Sequence, residues 1–379
     1  MKAYSETCVS DCPDEDHSQE NVESVLIDVV KTTVQVVGLS FEESQILLTA
    51  WERCKARLAP VKSVNTAHPT IERSPSLEWK QFHENLVSWI TRQAIESGRG
   101  NLFMFHAAAL CSPSSGASIV LAAESGTGKT TATRVLATEL GYITDETAAF
   151  DTDGVLYPYA KPLSILTGAK QRPKTQFSPA ELELQPYEGE ARVATIAVLD
   201  RDRSGLLAEP IASKLSLGEA LNQLIPQMSS LSYLDRGLVQ LCQLIDSLGG
   251  VVQLRYAEAS ELAAIIKDLL GSPRASKNHE WSAADIQVTS RPAPAVWSIR
   301  RQTVDDAIWL GPDLGLLKDE QYILLTGIGP FIWDSLSDWK TFDELFDAAI
   351  ITFGSVAHAK QILHEQLESL CSLGILERA

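Results

Sequence analysis

The chain of 379 residues is missing several features that would place it in a class at once. It has no apolar run of the ~18–20 residues that cross a bilayer, which argues against a helical membrane span. Its opening stretch, Met1 to Cys8, carries no apolar segment, so no signal peptide is expected and the expected location is cytoplasmic. The six cysteines are scattered, with no Cys-x-x-Cys pair. Cys8 and Cys12 lie close together, but no His or Cys cluster accompanies them. That argues against zinc and for free thiols. Basic residues are few: 32 Lys and Arg stand against 49 Asp and Glu, a net charge of −17. Phosphate backbones and anionic lipid are bound by basic surface, so neither nucleic acid nor a membrane is an expected partner. Internal repeats and low-complexity tracts are absent as well.

What is present reads as two or three domains with ample length for a buried core. Residues 1–22 are acidic and polar (Asp11, Asp14, Glu15, Asp16, Glu20) and are expected to be disordered. Val25 to Val37 is β-branched and reads as a strand or two. Ser40 to Leu58 reads as a helix, with Ser40 as cap and Glu43 three residues on. Trp79 to Ser97 predicts an amphipathic helix with Phe82, Leu86, Trp89, Ile90 and Ala94 on one face. Phe103 to Leu110 predicts a strand. Ala194 to Leu199 is a continuous apolar run of the kind buried inside a sheet. Leu217 to Cys242 reads as mainly helical, Gly249 to Tyr256 as a strand and Ser260 to Leu270 as a helix. The chain then turns polar, and 272–294 reads as a linker between a unit at 23–271 and a smaller one at 295–379. The smaller unit shows strand-like pieces at Trp297–Thr303, Ala307–Leu310 and Leu314–Lys318. Helices are expected at Gly327–Leu336, Phe342–Phe353 and Val356–Leu373.

Ala117-Ser-Ile-Val-Leu-Ala-Ala-Glu-Ser-Gly-Thr-Gly-Lys-Thr-Thr131 carries the most chemistry. A short apolar strand runs into a glycine-bearing turn and then into a helix opening with Lys-Thr-Thr, the plan of a phosphate-binding P-loop. Ala123 stands where the usual pattern begins with Gly. Glu124, Ser125, Gly126, Thr127, Gly128, Lys129, Thr130 and Thr131 form the expected nucleotide site. Backbone N–H groups there would cradle phosphate at the positive end of the helix dipole. Lys129 would bridge the β- and γ-phosphates of ATP, and the Thr130 hydroxyl would hold Mg²⁺. His106 precedes the loop. Asp145 and Glu146 end the strand after its helix, which can return beside the first strand and bring its end near the phosphates. Two adjacent carboxylates there have separate uses: one takes the proton of an incoming hydroxyl, the other helps place Mg²⁺. Lys161 reads as a phosphate ligand or as a solvated lysine. Arg172 and Lys174, beside Pro173, read as contacts to an anionic substrate or as surface charge.

The motifs Phe105-His-Ala-Ala-Ala109, Glu124-Ser-Gly-Thr-Gly-Lys-Thr-Thr131, Tyr142-Ile-Thr-Asp-Glu146 and Tyr157-Pro-Tyr-Ala-Lys-Pro-Leu-Ser164 resemble the HPr kinase/phosphorylase family. That family shares a core with phosphoenolpyruvate carboxykinase. The resemblance spans roughly residues 25–271 and implies an α/β P-loop core with a mixed sheet. It further implies Asp145 as general base, Thr130 and Glu146 serving Mg²⁺, and His106 near the transferred phosphate. The family's Glu-x-Arg-Gly loop, which accompanies recognition of HPr and phosphorolysis, is missing from this sequence. HPr and phosphorolysis are therefore not carried over.

Tyr322-Ile-Leu-Leu-Thr-Gly-Ile-Gly-Pro-Phe-Ile-Trp-Asp-Ser-Leu336, Thr341-Phe-Asp-Glu-Leu345 and Leu367-Glu-Ser-Leu-Cys-Ser-Leu-Gly-Ile-Leu376 resemble the PqqD family. That resemblance implies a winged helix-turn-helix binding the leader segment of a ribosomally made precursor peptide by strand addition. Its expected walls are the strand around Asp313 to Lys318 and the helix around Ala359 to Leu370. Together the two resemblances imply an ATP-dependent kinase acting on a Ser or Thr hydroxyl of a precursor peptide in natural-product (RiPP, lasso-peptide-like) biosynthesis. A small-molecule kinase and a nucleotide-gated, non-catalytic peptide adaptor are the alternatives. A homo-oligomer stays open. Asp145→Asn is expected to lower turnover and leave thermal stability intact.

Overall fold

The computed structural model describes residues 23–60, 68–124, 126–167, 172–271 and 280–379. The acidic segment 1–22 and the first part of the polar stretch, 272–279, lie outside them. The described chain is mixed α/β. No helix in it is long and apolar enough to cross a membrane.

The centre is a six-stranded mixed sheet in the order Ile211–Lys214, Val251–Tyr256, Arg192–Arg201, Ala117–Ala122, Ala107–Cys111, Gly141–Thr144. Arg192–Arg201 is parallel to both its neighbours, while Ala107–Cys111 is antiparallel to both of its own. Successive side chains of a strand point to opposite faces. Ala107, Ala109, Val120 and Ala122 therefore join a core with the helices Leu217–Leu224 and Gly237–Ser247. Ala108, Leu110, Ile119 and Leu121 join one with the helices Lys129–Leu136 and Leu262–Gly271.

The strand after the P-loop helix does not return beside the P-loop strand, as the sequence suggested. Ala107–Cys111 lies between them. Two successive antiparallel pairings leave Gly141–Thr144 running the same way as Ala117–Ala122. Its carboxyl end, bearing Asp145 and Glu146, still emerges on the P-loop side.

Phe103 to Leu110 is two strands. Phe103–Phe105 pairs with Ala148–Phe150 in a separate small sheet, and Ala107–Cys111 belongs to the central one. The break falls at His106, whose N–H goes to the Gln227 carbonyl (2.6 Å) and not to a strand ladder.

Residues 23–60 and 68–98 form a four-stranded sheet with two helices, Phe41–Ala50 and Trp79–Gly98. The capping box at Ser40 and Glu43 is present. The helix stops at Ala50, well before Leu58. Lys55 turns left-handed (φ 53°) and Arg57–Pro60 becomes a strand paired with the first. Trp51 is fully buried beneath it. The stretch Leu217 to Cys242 likewise breaks, into Leu217–Leu224 and Gly237–Ser247, with short turns around Pro226 between them.

The C-terminal unit holds an antiparallel sheet in the order Ser282–Ala283, Asp306–Leu310, Asp313–Lys318, Gln321–Leu325, with helices Gly329–Ser335, Phe342–Phe353 and Ala359–Ser372. Ile299–Arg301 leaves that sheet and pairs with Leu376–Arg378. The described part of the polar stretch is anchored. Ser282–Ala283 is an edge strand, and the Trp281 indole N–H donates to Asp246 (2.8 Å).

The unit is docked on the core as well as connected to it by chain. Ile308 and Leu317 enter the same cluster as Leu231, Leu238 and Leu241. The fully buried Asp306 accepts the Val239 N–H in the first turn of Gly237–Ser247 (2.9 Å) and pairs with Arg236 (2.6 Å).

Candidate functional site

The glycine loop is shaped by two left-handed residues, Gly126 (φ 85°) and Gly128 (φ 95°), a region that disfavours any side chain with a Cβ. The Thr127 hydroxyl and N–H both donate to the Glu124 carbonyl (2.6 and 3.3 Å), folding the loop over. The helix Lys129–Leu136 then begins at Gly128 with no side-chain cap, which leaves its first N–H groups without a capping side chain. Such donors at a helix start form an anion seat. Thr130 and Thr131 occupy that first turn. Ser125 lies outside the described residues.

Lys129 folds back and its ammonium donates to the His106 carbonyl (2.7 Å). Burial pulls its pKa down to about 8, against the opposing pull of Glu146 and Asp145. His106 is not a core histidine: its side chain is 47% exposed, and Nδ1 lies 3.2 Å from Glu146. Burial opposes ionisation of Glu146, yet the His106 hydrogen bond and the Lys161 charge win, holding its pKa down at about 2.

Lys161 is neither solvated nor free to take phosphate. It is 1% exposed, its ammonium lies 2.9 Å from Asp145 and 3.7 Å from Glu146, and it donates to the Pro162 carbonyl (3.1 Å). Burial alone would lower its pKa, but the two carboxylates raise it above the ordinary lysine value. Asp145, 4% exposed, also accepts the Tyr142 hydroxyl (3.0 Å). The adjacent carboxylates therefore differ sharply. Asp145 is turned inward and locked, and Glu146, 33% exposed, faces the open side. The expected assignment of the general base to Asp145 meets this obstacle directly.

Two cavities adjoin these groups. One, of about 420 Å³, is lined by Ala123, Glu124 and Thr127 of the loop together with Arg201, Arg203, Asn222 and Gln227. Arg203 donates to the Gly126 carbonyl (2.9 Å), and the Arg201 guanidinium lies against Gly128. The other, of about 410 Å³, is lined by Glu146, Lys174, Ser164, Glu84 and Arg92. Lys174 thus reaches the site, whereas Arg172 is exposed and does not line either cavity.

Sequence reading missed Arg201, Arg203, Tyr142, Glu84 and Arg92. Arg201 and Arg203 sit at and just past the end of the parallel neighbour of the P-loop strand, a place where ligands of α/β sheets commonly bind. That position was the available signal. Glu84 and Arg92 carried none, since they come from a helix distant in sequence.

No family model matches this chain. No curated protein matches it. Among solved structures, the Hpr(Ser) kinase/phosphatase from Coxiella burnetii aligns at 11% identity, covering 44% of this chain and 93% of that one, with a TM-score of 0.23. A likeness that slight carries no argument about function.

Proposed function

We propose that this chain is an ATP-dependent kinase that phosphorylates a Ser or Thr hydroxyl of a ribosomally made precursor peptide. The observation supporting it is one run of contacts beside the glycine loop: Lys129 to the His106 carbonyl, His106 to Glu146, and Glu146 through Lys161 to Asp145. A helix start with uncapped donors, a half-buried lysine and an ionised carboxylate are the parts that phosphoryl transfer needs. Catalysis of that kind is mostly positioning and charge neutralisation.

Lys129 and the loop amides hold the β- and γ-phosphates. Arg201 and Arg203 add positive charge on the far wall. Glu146, the exposed member of the pair, receives the acceptor hydroxyl, and Asp145 with Lys161 fixes it in place. His106 orients Glu146. The donor set fits Mg²⁺, which binds through one or two carboxylates plus substrate phosphates and not in an all-protein cage. Thr130 and Glu146 would hold it, and it would neutralise charge on the transferred phosphoryl group.

The leader peptide is assigned to residues 295–379, with a changed wall. Asp313–Lys318 is paired on both sides and cannot accept another strand. Gln321–Leu325 is the outer strand of that sheet and offers the edge for strand addition. The direct test is transfer of labelled γ-phosphate from Mg-ATP to a precursor peptide by the full chain, with Lys129→Ala as control. Label incorporated equally by both proteins, or by neither across hydroxyl-bearing peptides, sinks the kinase reading.

A further inference from the structure

The second cavity has a definite chemistry. Glu84, Ser88 and Arg92 are spaced at four residues along the helix Trp79–Gly98, so they share one face and form one wall. Ser164, from the strand Leu163–Ile165, and Lys174, just ahead of its partner strand Thr175–Phe177, form the other. Glu146 closes the inner end. The two carboxylates are engaged: Glu146 by His106 and Lys161, and Glu84 by the Lys174 backbone N–H (3.1 Å). The two cations are not. Neither Arg92 nor the Lys174 ammonium has a carboxylate within ion-pair distance among the described residues. In a chain of net charge −17, two cations in one cleft with no carboxylate partner among the described residues are a selective feature. A guanidinium and an ammonium on facing walls match a carboxylate better than a neutral side chain.

We infer that this cleft takes an acceptor whose hydroxyl is flanked by a carboxylate, with Glu146 meeting the hydroxyl and Arg92 and Lys174 meeting the acid. The inference rests on the kinase reading for the identity of the acceptor, but the recognition itself can be measured without any transfer. Glu84 sets the spacing by accepting the Lys174 backbone N–H, which holds that segment against the helix.

The test uses the full chain without nucleotide. Fluorescently labelled acetyl-Gly-Ser-Glu-Glu-Gly-amide and its isostere acetyl-Gly-Ser-Gln-Gln-Gly-amide are titrated by anisotropy at two salt concentrations. The capped ends confine negative charge to the side chains. The acidic peptide is expected to bind more tightly, by about fivefold for each cation engaged, with the advantage shrinking at high salt. Arg92→Gln and Lys174→Gln should each remove part of that preference and leave the neutral peptide unaffected, and Arg92→Lys should restore part of it. Equal affinity for both peptides, or an acidic preference that survives both substitutions, overturns the inference. An acidic preference without phosphate transfer would keep the cleft and discard the kinase.

Discussion

Lys161→Met is the sharpest test of how the site is built. The substitution keeps a long unbranched side chain and removes the ammonium that lies 2.9 Å from Asp145. Both partners are buried, so solvent cannot take over the role of the missing charge. Removing one partner of a buried pair leaves an uncompensated charge and typically costs ~3–5 kcal/mol. That is a large share of the ~5–15 kcal/mol by which folded proteins are stable. At roughly 2–4 °C per kcal/mol for a unit of this size, the melting temperature should fall by about 6–20 °C.

Asp145→Asn should also destabilise, because Lys161 is then left with the more distant Glu146 at 3.7 Å. This reverses the expectation from sequence that Asp145→Asn is harmless to the fold. The double variant Lys161→Met/Asp145→Asn, with neither charge buried, should be more stable than the sum of the two losses predicts. The coupling should reach at least ~2 kcal/mol. Urea unfolding of the four proteins measures it. A Lys161→Met protein that melts within 2 °C of the parent, or strictly additive losses, would refute the buried-pair account.

Three further outcomes rest on other buried groups of the fold. With its pKa held at about 8, Lys129 is charged below that pH and neutral above it, so Mg-ATP affinity should weaken as pH rises past 8. Calorimetry in buffers of different ionisation heat should show proton uptake on binding there, and pH-independent affinity from 7 to 9 would exclude the role given to Lys129. His83 accepts the Trp51 indole N–H (3.4 Å), and burial lowers its pKa from 6.5 to about 4. Above pH 6.5 it is neutral in both folded and unfolded chains. Between 6.5 and 4 only the unfolded chain gains the proton, so about 3 kcal/mol of stability should be lost on acidification. His83→Gln should flatten that part of the pH–stability curve, and an unchanged slope would count against it. Asp306→Ala strips the buried contact to Arg236 and the Val239 N–H. Arg236 is one-third exposed, so the loss is chiefly the unsatisfied Val239 N–H. The substitution should cost about 1–3 kcal/mol and speed amide exchange in the first turn of Gly237–Ser247, with no change there being the contrary result.

The parts of the site that were legible in sequence are those made by consecutive residues. A strand, a turn with glycines at fixed offsets and a helix opening with Lys-Thr are local features, so Gly126, Gly128 and Lys129 could be read directly. Ser40 with Glu43 was legible as a helix start for the same reason, since its capping box closes within four residues. Asp145 and Glu146 could be placed at a strand end, but their opposite environments could not.

The tertiary structure alone decided what depends on which distant segments meet. Lys161 is an inward partner of Asp145 because the segment around Tyr159 folds against Ile143, a contact with no pattern in the chain. His106 became the break between two sheets because the Gln227 carbonyl, more than a hundred residues away, takes its N–H. Asp313–Lys318 lost its role as an edge when Gln321–Leu325 paired with it. Arg92 reached Glu146's cleft only because a helix from the N-terminal unit covers that side. Sequence periodicity reports which face of an element is apolar. It carries no record of which element will cover that face, because the free energy of burial is gained equally against any apolar surface of matching shape.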